Sequence, residues 1–148
     1  MNNLILASGS QVRKKILDKY NLLSQVQPSN VDEQPVKESL IKNNSTPEII
    51  SKTLAELKAN KVSLSKKEYL VIGADSVIDL EGQLISKPKD RKEALDILRK
   101  LNGKKHYLIS SVCISKNGSM IWNYTDKAEL TMKNFSDDDL KDYLSKIT

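Results

Sequence analysis

The sequence predicts an α/β fold, a mixed β-sheet flanked by helices, on two observations. Short aliphatic runs alternate along the chain with segments of helical periodicity, the pattern of strands interleaved with helices. Two strand signals also turn back on themselves, at Glu81-Gly82 and at Lys116-Asn117-Gly118, so part of the sheet is antiparallel.

Leu4-Ile5-Leu6-Ala7 reads as a short buried strand that ends in the small-residue turn Ser8-Gly9-Ser10. Residues 11–20 follow as an amphipathic helix, with Val12, Ile16 and Leu17 on one face and Ser10 as N-cap. Residues 22–27 suggest a second strand stopped by Pro28. Residues 28–47, rich in Pro, Asn, Ser and charge, read as a long connection with a short helix at 37–42. Thr46-Pro47-Glu48 carries a helix start, and Ile50, Leu54, Leu57 and Val62 continue at helical spacing. Residues 69–80 hold the strongest strand signal, returning through Leu84-Ile85 to Lys87-Pro88. Asp90 caps a helix over 91–101 with Ala94, Leu95, Leu98 and Leu101 inward and Gly103 as its stop. Residues 107–115 and 119–133 form the second hairpin. Ser136 and three aspartates then open a last helix whose apolar face is Leu140, Tyr143, Leu144 and Ile147.

At 148 residues the chain reads as one domain, 1–148, with no repeat, low-complexity tract or linker. A single cysteine excludes an internal disulfide framework and fits a cytoplasmic setting. No apolar run approaches the roughly 20 residues of a membrane span, so no membrane partner is expected. Net charge is +5, and residues 1–74 carry 11 basic and 7 acidic groups while residues 75–148 carry 13 and 12. A basic surplus in the first half suits an anionic partner, a solvated lysine surface being the plain alternative. The seven aromatics stand mostly at core-like positions, with Trp122 and Tyr124 alternating along a strand, so nucleic acid is not the expected partner.

Familiar catalytic signatures are missing: no P-loop, GxGxxG, HExxH or CxxC pattern occurs. The lone His106 reads as structural or surface, and Cys113 as a buried, inert thiol. Asp75 is different. It follows Leu70-Val71-Ile72-Gly73-Ala74 at the carboxyl end of a strand, where α/β folds place ligands. A charge buried there is costly unless paired or bound to a metal, although a turn-forming Asp is the alternative. Ser8-Gly9-Ser10 leading into a helix with Arg13 reads as a phosphate cradle, small-residue strand-to-helix turns of no function being the common alternative. Lys58, set within the apolar run of its helix, and Lys87 after the hairpin are further cations. A snorkelling and a surface lysine, respectively, are their alternatives. Glu33 in Val31-Asp32-Glu33 is an acid in a polar loop.

Taken in order, six blocks resemble the Maf family of nucleoside triphosphate pyrophosphatases. They are residues 4–10 with Arg13, Val31-Asp32-Glu33, residues 54–59, residues 72–77, residues 86–90 with Glu93, Ala94 and Leu98, and Leu101-Asn102-Gly103 with His106. A weaker likeness continues through residues 135–140 to Tyr143. The resemblance implies a two-lobed fold with a central cleft, related to inosine triphosphatases. It implies metal-dependent hydrolysis of a nucleoside triphosphate, standard or modified, to the monophosphate and pyrophosphate, in a house-cleaning role. By its motifs the general base falls on Asp75, metal handling on Glu33 and Asp75 with Mg²⁺ or Mn²⁺, and phosphate binding on Ser8, Ser10, Arg13, Lys58 and Lys87. Val12 and Ser76 fall where members vary with the preferred base, and a homodimer is an assembly it leaves open.

The chain departs from the family pattern at Gln11-Val12, where Pro and basic residues are usual, and at Ser76, where Thr is commoner. Family members also continue several tens of residues past the helix at 137–147. The expectation is therefore that the sequence lacks the C-terminal part that walls the cleft. The alternative function is then a non-catalytic nucleotide- or nucleic-acid-binding module on the same scaffold.

Overall fold

In the computed structural model, which describes residues 3–147, eleven elements build one mixed sheet with helices on it. They are β1 (Leu4–Leu6), α1 (Gln11–Lys19), β2 (Gln25–Val26), α2 (Glu33–Lys42), α3 (Pro47–Ser65), β3 (Leu70–Leu80), β4 (Gln83–Ile85), α4 (Arg91–Leu101), β5 (Lys105–Lys116), β6 (Ser119–Thr131) and α5 (Asp137–Lys146). The strand order is β2-β1-β3-β5-β6, with β4 pairing to β3. β1 runs parallel to β2 and β3, whereas β3, β4, β5 and β6 are joined antiparallel. The mixed sheet expected from the two hairpins is thus the one observed.

The central strand β3 organises the rest. β5 takes one of its edges along residues 71–79. On the other edge β1 pairs with residues 70–72 and β4 with residues 78–80. Among the described residues no strand covers that edge between them, over residues 73–77. The main core lies between α3 and the sheet, where Ile5, Ala7, Ala55, Ala59, Val62, Val71 and Cys113 pack together. α3 presents small residues to the strands, and polar side chains from the two sides pair across that contact. Ser51 Oγ lies 2.7 Å from Ser111 Oγ, which lies 2.9 Å from Thr125 Oγ1, and Ser115 Oγ donates to Asn60 Oδ1 at 2.6 Å.

Local chemistry explains the helix starts. Ser10, Thr46, Asp90 and Ser136 each accept a backbone N–H three residues on, closing the first turn. Pro47 occupies a first-turn position whose N–H needs no partner. At the other end of the chain, Arg91 of α4 donates to the carbonyls of Leu144 and Ile147, capping α5.

Several expectations are corrected. The connection at 28–47 contains a ten-residue helix from Glu33, not a short one at 37–42. Pro35 hid it, yet a proline in the first turn forfeits no helical hydrogen bond. The strand expected over 22–27 shrinks to Gln25–Val26. The apolar face of α1 is largely uncovered, Val12 and Ile16 both being exposed, because no other described element packs extensively against this helix. In α4 only Leu101 is buried, and in α5 Tyr143 and Ile147 face solvent while Leu140 and Leu144 are buried.

Apart from Tyr69, which is partly buried against the core, the aromatics are not core residues either. Trp122 and Tyr124 are exposed, with rings stacked at 6.3 Å, and Tyr20, Tyr107, Phe135 and Tyr143 are exposed too. β6 is an edge strand on which only Met120 and Thr125 are half-buried, so most of the alternation along it, Trp122 and Tyr124 included, is left exposed. Core placement is therefore no argument against nucleic acid.

Candidate active site

The first phosphate-type element is the turn after β1. Burial of Ile5 and Leu6 fixes the strand, and Ala7 N–H donates to Ile72 O at 2.8 Å, so Ser8 emerges beside β3. Ser8 Oγ accepts from Ser10 N–H and from Arg13 Nη1, both at 3.1 Å. Ser10 Oγ accepts from Arg13 N–H at 3.3 Å. The two hydroxyls therefore aim the Arg13 guanidinium as well as forming the turn.

Three elements then meet at one ammonium. The start of α2 brings Glu33, the middle of α3 brings Lys58, and the middle of β3 brings Asp75, which is not at a strand's carboxyl end as expected but at the open edge between β1 and β4. Lys58 Nζ lies 2.8 Å from Glu33 Oε1 and 3.0 Å from Asp75 Oδ1, and it donates to Ala74 O at 3.2 Å. Ala74 O is free to accept because the strand edge there is unpaired. Lys58 thus spends its three donors on a backbone carbonyl and two acids.

The electrostatics separate the acids. Burial pushes the Asp75 carboxyl above the usual aspartate range, and Lys58 opposes this without cancelling it; Glu33 adds a further upward push. Burial also acts upward on Glu33, but the hydrogen bond and charge of Lys58, with Lys37 and Lys87, hold it below the ordinary value. Asp75 Oδ2 is buried and has no hydrogen-bond partner. An orphaned buried carboxylate oxygen is rare in a purely structural ion pair.

These groups line a cavity of about 360 Å³. Its charged lining comprises Arg13, Glu33, Lys37, Lys58, Asp75 and Lys87. Its apolar lining includes Ile78, Leu84, Ile85, Ile97 and Leu108, and Ser76 also contributes, with its hydroxyl 3.0 Å from Ser110 Oγ. Residues from both faces of β3 reach this one space because the strand edge at 73–77 is open. A second cavity of about 450 Å³ takes Ser8 and Ser10 and shares Arg13, Glu33, Lys58 and Lys87. Four cations against two carboxylates leave a net positive cleft suited to a polyanion.

Of the residues singled out from the sequence, Ser8, Ser10, Arg13, Glu33, Lys58, Asp75, Ser76 and Lys87 are brought together. Val12 is not among the linings of either cavity and is exposed. Lys37 is the residue the sequence reading missed. It stands one helical turn after Glu33 in α2, a spacing that becomes visible only when the helix is known to start at 33. His106 lines neither cavity; its Nδ1 is buried and unpartnered.

Comparison with known proteins bears on this geometry. The profile of the family described as Maf-like protein matches residues 3–148. The chain is 65% identical over 148 residues to a Pelagibacter ubique protein named nucleoside triphosphate pyrophosphatase, covering all of this chain and 76% of that relative. It is 35% identical over 144 residues to a Rhizobium etli protein named 7-methyl-GTP pyrophosphatase, covering 97% of this chain and 72% of that one. The solved structure of a HAM1 protein from Coxiella burnetii superposes with a TM-score of 0.48 at 12% identity, over 87% of this chain and 71% of the other.

Proposed function

The chain belongs to the Maf-like protein family, and on that premise we propose that it is a nucleoside triphosphate pyrophosphatase, a hydrolase that splits the α–β phosphoanhydride to release the monophosphate and pyrophosphate. The observation that carries this reading is Asp75. Its Oδ1 is held by Lys58 while its buried Oδ2 is unpartnered beside a cation-lined cavity. A carboxylate pushed upward by burial is a better base than a solvated one. In the proposed step Oδ2 takes a proton from a water that attacks the α-phosphorus, and the bond to the β-phosphate oxygen breaks. Arg13 and Lys87 offset charge on the triphosphate and on departing pyrophosphate, and Lys37 offsets charge on the bound triphosphate. Lys58 fixes the orientation of Asp75 and screens it from Glu33.

Glu33 and Asp75 are the residues that would hold Mg²⁺ or Mn²⁺. Their all-oxygen donor set fits a hard divalent cation. Among the described residues no cluster of three or more His, Cys, Asp or Glu exists. That suits a cation that takes one or two carboxylates and completes its shell with water and substrate phosphates. When bound, it would supply charge neutralisation at the phosphate oxygens.

The named activity of the Rhizobium etli relative supports including modified bases among the substrates. None of the described helices is long and apolar enough to cross a membrane, in keeping with a proposed cytoplasmic, house-cleaning role. The test is pyrophosphate release by the purified chain with Mg²⁺ or Mn²⁺ over common and modified triphosphates. Release dependent on the cation and lost in Asp75→Asn is expected. Silence across the panel with nucleotide binding retained would overturn the enzyme reading in favour of a binding module.

A further inference from the structure

α3 crosses β3 at Gly73 more closely than a side chain on that residue permits. A Cβ built there would lie 2.3 Å from Ala55 O, 2.7 Å from Ala59 N and 2.9 Å from Ala59 Cβ. Gly73 is not among the glycines with positive φ, so the backbone does not require glycine; the space does. The helix side of the contact is equally small, Ala55 and Ala59 both being fully buried. Two functional groups flank this contact. Lys58 lies directly before Ala59, and Asp75 shares the face of β3 that carries Gly73.

We propose that Gly73 is a positioning residue for the site: its missing side chain sets the helix–strand distance at which Lys58 Nζ reaches Glu33 Oε1, Asp75 Oδ1 and Ala74 O together. Any added Cβ must drive α3 back by about 1 Å to reach ordinary van der Waals contact, since backbone atoms of a helix cannot swing aside. The Lys58 contacts span 2.8–3.2 Å, so a retreat of that size breaks the longer ones. Its side chain is only 12% exposed, which leaves little room for another path to the same acceptors. The consequence for turnover rests on the pyrophosphatase reading, whereas the geometry of Lys58 does not.

The test compares wild type with Gly73→Ala, and with Ala59→Ser as a milder wedge at the same contact. Each lysine's acetylation rate in the native protein is read by mass spectrometry, with exposed Lys52 of the same helix as internal reference. Lys58 is expected to acetylate several-fold faster in Gly73→Ala, and less so in Ala59→Ser. Asp75→Asn should raise Lys58 labelling by itself, and adding Gly73→Ala should raise it further, because the contacts to Glu33 and Ala74 O remain to be lost. Leu144→Ala, destabilising but remote, should leave the Lys58 to Lys52 ratio unchanged. Misplacement by about 1 Å lowers kcat for pyrophosphate release by roughly 10²-fold, with KM within about twofold.

Unchanged Lys58 labelling in folded Gly73→Ala overturns the proposal, as does an equal rise in Leu144→Ala. Should Gly73→Ala not fold, Ala59→Ser decides by the same ratio. A wild-type protein without pyrophosphatase activity would remove the functional reading, and labelling would still judge the positioning.

Discussion

Replacing Lys58 by methionine keeps most of the unbranched side chain and removes the charge on which two acids converge. With an effective dielectric of about 20, a unit pair 3.0 Å apart, the distance to Asp75 Oδ1, attracts by about 5 kcal/mol. That is an upper bound, and the Glu33 contact contributes less because its side chain is 37% exposed and screened. Removing one partner of a buried pair typically costs about 3–5 kcal/mol, and we expect about 3 kcal/mol at pH 8. The penalty must depend on pH. Burial already holds the folded Asp75 carboxyl above its unfolded value of 3.8, and without Lys58 it rises further. The folded variant then keeps a proton that the unfolded chain releases. Its stability therefore falls as pH rises from 3.8 through the raised folded value. The loss relative to wild type is greatest at pH 8 and shrinks toward pH 5. Urea denaturation followed by circular dichroism at both pH values reads this directly. Adding Asp75→Asn should recover most of the loss at pH 8, because the stranded charge is gone. An equal penalty at both pH values, or no recovery in the double variant, would refute the reasoning.

Other expectations are simpler. Asp75→Asn should lower pyrophosphate release by at least about 10²–10³, the usual cost of one lost transition-state contact, with an unchanged far-ultraviolet spectrum. Lys37→Ala should raise KM for the triphosphate about tenfold, equivalent to roughly 1.4 kcal/mol, with little change in kcat; a fall in kcat at constant KM would move Lys37 into the chemistry. Cys113, fully buried and pushed up to about 11 mainly by that burial, should resist iodoacetamide at pH 8 in the native protein and react once urea unfolds it. Native-state alkylation observed by mass spectrometry would contradict the packing of β5.

Much of the fold was legible because its signals are local. The caps at Ser10, Thr46, Asp90 and Ser136 are satisfied within three residues, so residue type alone announced them. The turn at Asn117-Gly118 was equally clear, since both residues adopt positive φ there. What failed was burial. Periodicity in α1 and alternation in β6 told which residues share a face, not whether anything covers it. α2 was obscured for a related reason: Pro35 breaks a helix in its interior and is harmless in its first turn.

The site divides along the same line. By itself the sequence determined that Asp75 follows a buried aliphatic run, that Ser10 caps a helix carrying Arg13, and that the blocks match one family. Each of those follows from neighbours in the chain. The sequence did not show that one strand runs unbroken past Asp75 to Leu80. Only the tertiary structure decided that Glu33, Lys58 and Asp75 meet at one ammonium, that Lys37 joins them, and that Val12 does not. These are distances between α1, α2, α3 and β3, set by an open edge on β3 and by a glycine that lets α3 approach it. No local pattern encodes such distances, because they depend on how closely elements far apart in sequence can pack.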